Sequence, residues 1–184
     1  IMVQVKRSTK ETDIVVSIPK SGKDVKDPSS QSTTLEFLDH MLATLSRYSG
    51  LNFSVHATGD LDHHISEDVA ITLGVALRKA TPDTCARYGS ARVPMDDALV
   101  EVTIDLVERN FYEGPVPTTE YEHFFRTLTE NMKCNIHVRV LRGVDEHHII
   151  EAAFKGLGLC LEEAMANTDT VFSTKGAASW TIDE

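Results

Sequence analysis

Two short stretches of this chain set adjacent histidines ahead of a glutamate: "LDHHISED", where His63 and His64 precede Glu67, and "DEHHIIEA", where His147 and His148 precede Glu151. On a helix successive residues turn by about 100°, so neighbouring imidazoles diverge while the glutamate lies within reach of both. Neutral imidazole and carboxylate together suit a divalent first-row metal: Mn, Fe, Co, Ni or Zn. A single motif of this kind also describes a charged helix start, because acidic side chains favour that end of the helix dipole. Two copies in equal spacing point to metal, since associated halves can bring their turns together within one chain or between chains. His40, beside Asp39 in "FLDHM", and His137, in "NIHVRV", are further candidate ligands. Asp39 is placed to orient the His40 imidazole, and strand alternation puts His137 on one face with Arg139. His56 and His123 have no such neighbour and are given no role. Paired cations of this type serve a lyase, a hydrolase of small phosphate esters or a metal store, and the histidines alone leave the three open.

The elements that must hold these residues occur in duplicate. The segment from Phe37 to Ala80 runs from a helical pattern through the alternating "LNFSVHA" to the first histidine pair and then a long apolar-periodic helix. From Glu122 to Ala164 the same order returns, with "FFRTLTENM" as helix and "NIHVRVL" as strand. Val69, Leu73, Ala76 and Leu77 in one copy, and Ala153, Leu157 and Leu161 in the other, mark inward helical stripes. Strand pairs precede the copies: "MVQVKRS" with "TDIVVSIP", and "ALVEVTIDLV" with "RNFYEGP". The loops are marked by "PKSGKDVKDPSSQS" and by "TPDTCARYGSARVP", the second being the join. The reading is an α+β fold with an internal duplication, residues 1–86 and 87–184, the two halves sharing one core.

With 18 basic and 28 acidic side chains the net charge is -10, which disfavours nucleic acid and anionic membranes as partners. No apolar run is long enough to span a bilayer, and "IMVQVKRSTKET" lacks the apolar core of a signal peptide. Cys85, Cys134 and Cys160 are odd in number and outside any CxxC pattern, as in a reducing compartment. The expected location is cytoplasmic.

Taken in order, "RSTKETDI", "FLDHML", "GDLDHHISEDVAI", "RYGSARVPMDDAL", "NIHV", "HHIIEAAFKGLG" and "STKGA" resemble imidazoleglycerol-phosphate dehydratases of histidine biosynthesis over nearly the whole chain. The resemblance implies two similar halves, each a four-stranded sheet with two helices, and two Mn2+ ions per active site. By motif, His40, His64, Glu67 and His147 would serve one ion, and His63, His137, His148 and Glu151 the other. It also implies loss of water from the glycerol side chain of imidazole glycerol phosphate, giving imidazole acetol phosphate. Metals on both ring nitrogens would stabilise an imidazolate, which expels the hydroxyl through a diazafulvene-like intermediate. Glu11 matches the family's proton-transfer and substrate-binding glutamate, while Arg87, Arg109, Ser173 and Lys175 match its anion-binding positions. The assembly implied is a homo-oligomer of twenty-four subunits with octahedral symmetry and active sites where subunits meet. Two departures stand out: the "GDLDHH" turn is shorter than the family's common form, and Phe172 stands where a proline is frequent.

Overall fold

The computed structural model describes residues 2–19, 30–171, 173, 179 and 181. β1 (Met2–Ser8) and β2 (Thr12–Pro19) form a hairpin, followed by β3 (Gln31–Ser32), α1 (Glu36–Tyr48), β4 (Ser54–Gly59) and α2 (Asp62–Ala80). The second half repeats the order with β5 (Tyr88–Met95), β6 (Ala98–Asp105), β7 (Phe111–Glu113), α3 (Thr119–Met132), β8 (Asn135–Arg142) and α4 (Glu146–Ala164). Each half makes a four-stranded sheet, ordered β1-β2-β4-β3 and β5-β6-β8-β7, with the short third strand parallel to its neighbour and the other pairings antiparallel. The α+β plan and the duplication are those read from the sequence.

Alternation along β2 buries Thr12, Ile14, Val16 and Ile18 on one face, and β6 does the same with Ala98, Val100, Val102 and Ile104. Those faces receive the helices. α2 packs on β1, β2 and β4, and α4 on β5 and β6, while α2 also meets α3 and α4 meets α1. A single apolar cluster therefore draws on both halves, from Ile14 and Phe53 to Phe125 and Phe154. The two helix contacts correspond under a pseudo-twofold, and a glycine serves each. A Cβ on Gly74 would stand 2.8 Å from the Leu128 carbonyl oxygen, and one on Gly158 would stand 2.6 Å from Tyr48 Cβ. The backbones approach too closely for any side chain there.

One expectation is corrected. "RYGSARVP" is not a loop: Tyr88–Met95 is β5, paired antiparallel with β6 from Tyr88 opposite Asp105 to Met95 opposite Ala98. The Gly and Pro content looked like punctuation, but β5 is an edge strand, where a proline such as Pro94 is tolerated. "RNFYEGP" instead supplies the short β7 along β8. Phe172 and most of "PKSGKDVKDPSSQS" lie outside the described residues.

Candidate metal centre

The pseudo-twofold sorts six of the eight histidines into pairs. His63 and His64 open α2 as His147 and His148 open α4, with Glu67 and Glu151 one turn on. His56 and His137 do not match: His56 faces Val15 and corresponds to Arg139, which faces Glu101, while His137 faces Thr103 and corresponds to Ser54, which faces Ser17. His40 and His123 lie in the opening turns of α1 and α3, each directly after an acid. Those acids do the same thing in both halves. Asp39 accepts from the Thr33 backbone N–H (2.8 Å) and hydroxyl (2.7 Å), and Glu122 accepts from the Val116 N–H (3.0 Å) and the Tyr112 hydroxyl (2.8 Å). Asp39 therefore secures the entry to α1, and its carboxylate is bonded to Thr33 and not, as the sequence had suggested, to His40.

Three donors converge where α1 meets α4. His40 Nε2 lies 3.3 Å and His147 Nε2 3.1 Å from the same oxygen, Oε2 of Glu151, and the group fits within 4.8 Å. Glu151 is buried, which by itself raises a carboxyl pKa. Hydrogen bonds from Lys155, 2.9 Å from Oε1, and from the two histidines outweigh burial and hold it below the ordinary value. The equivalent contact is repeated where α2 meets α3, with His123 Nε2 3.4 Å from Glu67 Oε1. Ile71 stands there in place of Lys155, so that carboxylate has no lysine one turn on.

The second histidine of each pair is held by carboxylates from the turns. His64 Nδ1 lies 2.8 Å from Asp60 and 3.7 Å from Glu11; His148 Nδ1 lies 2.6 Å from Asp97, and its Nε2 3.4 Å from Asp96. The bond to Asp60 raises the His64 pKa against desolvation, and the bond to Asp97 does the same for His148. Asp97 is pushed far below the usual carboxylate range, first by His148 and then by the Val144 and Asp145 N–H groups. With a proton on Nδ1 directed at a carboxylate, Nε2 keeps its lone pair for a cation. His63 turns its ring to His64, centroids 4.2 Å apart.

Glu11 sits in the turn between β1 and β2. Thr9 Oγ1 accepts from the Glu11 and Thr12 N–H groups at 3.0 Å each, and the Glu11 carbonyl accepts from Asp60 N–H at 3.1 Å. Buried Asp68 on α2 fastens this hairpin, accepting from Arg7 Nε at 3.1 Å and from the Thr12 hydroxyl. Its counterpart in the other half is the fully buried Ala152, so only the half carrying Glu11 has this anchor.

Neither expected four-ligand set is assembled within one chain. Among the described residues the groups offering three donors are His40, His147 and Glu151, and Glu11, Asp60 and His64. The first joins His40 and His147 of one expected set to Glu151 of the other. His137 lies apart from both, 3.8 Å from Glu113 with its ring against Phe111. His123, which the sequence reading passed over, takes the place equivalent to His40. The signal was present in the acid-histidine pairs Asp39-His40 and Glu122-His123.

On the anion side, Arg87 and Ser173 line one cavity of about 560 Å³ together with Leu106, Val107 and Glu108. Arg87 forms a two-pronged pair with Asp105, at 2.6 and 3.1 Å, which keeps it charged. Arg109 is exposed in the connection between β6 and β7, next to that lining; Lys175 lies outside the described residues.

Comparison with known proteins places this duplicated fold among the hydro-lyases. Residues 33–161 match the family model described as imidazoleglycerol-phosphate dehydratase. The chain is 42% identical over 180 residues to that enzyme from Pyrococcus furiosus, covering 93% of this chain and 98% of the relative. It is 43% identical over 176 residues to the one from Desulforudis audaxviator, covering 88% of each. It superposes on the P. furiosus crystal structure in complex with (S)-C348 with a TM-score of 0.83 at 39% identity, covering 94% of this chain and 99% of that one. On the Staphylococcus aureus structure the TM-score is 0.77 at 28% identity, covering 91% and 100%. The chain belongs to the imidazoleglycerol-phosphate dehydratase family, which serves histidine biosynthesis.

Proposed function

We propose that this chain dehydrates imidazole glycerol phosphate to imidazole acetol phosphate with two divalent manganese ions per active site. The observation that carries the reading is the convergence of His40, His147 and Glu151, echoed by His123 and Glu67 in the other half. Two imidazoles and a carboxylate fit a divalent first-row cation. His40, His64, Glu67 and His147 would hold one ion. His63, His137, His148 and Glu151 would hold the other, while His123 stands at the position equivalent to His40. His40 and His147 stand where α1 meets α4, whereas His64 and Glu67 are on α2, which supports ligands shared between neighbouring chains. The homo-oligomer of twenty-four subunits belongs to the same reading, as does a cytoplasmic location, in keeping with three unbridged cysteines.

When bound, the cations supply Lewis-acid stabilisation of charge developing on the imidazole ring. Around them the chain's own groups divide the remaining tasks. Asp60 and Asp97 hold the Nδ1 protons of His64 and His148. Glu11, fixed by Thr9 and by the Asp68 anchor, stands where a carboxylate takes up or returns a proton beside His64. Arg87, Arg109, Ser173 and Lys175 bind the phosphate and so orient the glycerol chain. Loss of a hydroxyl and a neighbouring proton as water leaves an enol, which becomes the ketone. The test strips the protein with chelator, restores manganese and follows the ketone from imidazole glycerol phosphate. His64→Ala and His148→Ala should lose metal and turnover while retaining the subunit fold. Release of inorganic phosphate without ketone would overturn the reading in favour of hydrolysis.

A further inference from the structure

Lys133 follows the last turn of α3 with φ +57° and ψ +54°, in the left-handed region that penalises side chains bearing a Cβ. Its N–H closes the helix on the Thr129 carbonyl at 2.9 Å. The equivalent position in the other half is Gly50, with φ +65°. The duplicate thus uses the residue that this conformation favours, and α3 carries lysine instead.

The lysine lines the cavity that holds Arg87 and Ser173. Two other cations there are paired: Arg78 with Glu108 at 3.0 Å, and Arg87 with Asp105. Asp83 is the remaining acid of the lining, and among the described residues Lys133 has no carboxylate within ion-pair distance. Its backbone is also coupled to the segment bearing Arg109. The carbonyl of Cys134, the next residue, accepts from Phe111 N–H at 3.1 Å, and the Asn135 side chain donates to the Arg109 carbonyl. Lys133 thus shares with Arg78 and Arg87 the lining of a cavity large enough for a phosphate monoester, and its backbone is tied to the segment bearing Arg109.

We infer that Lys133 is a specificity residue for the phosphate of the substrate, adding a third cation to Arg87 and Arg109. This rests on the function proposed above. A lysine placed only to complement the α3 dipole would affect stability and leave substrate affinity alone.

The test uses the full, manganese-loaded protein. Lys133→Gly and Lys133→Asn both tolerate left-handed backbone and so preserve the fold, while Lys133→Arg keeps the cation. The expected result is a fall of about tenfold in kcat/KM for the Gly and Asn variants, carried by KM, with the Arg variant near wild type. Binding of inorganic phosphate, measured by titration calorimetry, should weaken in parallel. Wild-type turnover with KM and phosphate affinity unchanged in the Gly and Asn variants would overturn the inference and leave the dehydratase reading standing. Lysine-dependent phosphate binding without dehydration would do the reverse.

Discussion

Replacing Asp68 by alanine tests how the hairpin bearing Glu11 is held. Asp68 is 8% exposed and Thr12 3%, so the variant strips the buried Thr12 hydroxyl of its carboxylate acceptor and leaves it only the longer contact with Thr9 Oγ1 at 3.3 Å. An orphaned buried hydroxyl costs about 1–3 kcal/mol. The Arg7 bond involves a side chain 39% exposed, and its loss adds about 1 kcal/mol after solvent screening. The sum is about 2–4 kcal/mol, or roughly 5–15 °C in thermal midpoint for a chain of this size. Scanning calorimetry at fixed chain and manganese concentration measures it. The decisive arm adds Thr12→Val. If the cost comes from the orphaned hydroxyl, Asp68→Ala/Thr12→Val recovers a large part of the loss, giving strong non-additivity in the double-mutant cycle. A double variant as unstable as the sum of the two singles would refute the reasoning. The Asp68 variant should also keep its manganese yet lose kcat, because the anchor positions Glu11.

Further predictions concern the ligands and the turn. His137→Ala should lose half the bound manganese and more than about 100-fold in activity, while His123→Ala keeps both ions; plasma emission spectrometry with an activity assay decides, and the opposite pattern would put His123 in the ligand set in place of His137. His64 and His148 have folded pKa values above the ordinary histidine value, so their protonation stabilises the metal-free fold below about pH 6.5 and that contribution fades as pH rises through the raised values. Manganese must displace those protons, so affinity should fall with pH and binding near pH 6 should release protons; calorimetry in two buffers of different ionisation enthalpy would count against this if the heats were identical. In Gly59→Ala the new Cβ would stand 2.7 Å from Ile65 Cγ1 and 2.9 Å from Thr12 Cγ2, costing about 1–3 kcal/mol by overpacking, and an unchanged denaturant midpoint would show that the turn yields freely.

The histidine pairs were legible because their spacing is local and occurs twice; helix geometry alone sends adjacent imidazoles in different directions. The helices were legible for the same reason, their apolar stripes repeating at 3.6-residue spacing. β5 was not, since an edge strand tolerates residues that elsewhere mark a loop. The meeting of His40 with His147 and Glu151 depends on α1 packing against α4, a contact across more than a hundred residues that no local pattern encodes. Asp39 misled for a related reason: sequence places it beside His40, but its carboxylate is taken by Thr33. The equivalence of His123 to His40 was written in the acid-histidine pairs Glu122-His123 and Asp39-His40, and the pseudo-twofold that lays α3 over α1 gives that pattern its meaning. Asp68 carries no motif, and its part emerges from the contrast with Ala152.

The central claim, that the duplicated histidine and glutamate donors hold a pair of cations, is tested most directly by counting manganese per chain after chelator treatment and restoration. The account predicts two ions per chain in protein that yields the ketone, and one after His40→Ala. Turnover at the wild-type rate by protein retaining no divalent metal would contradict it.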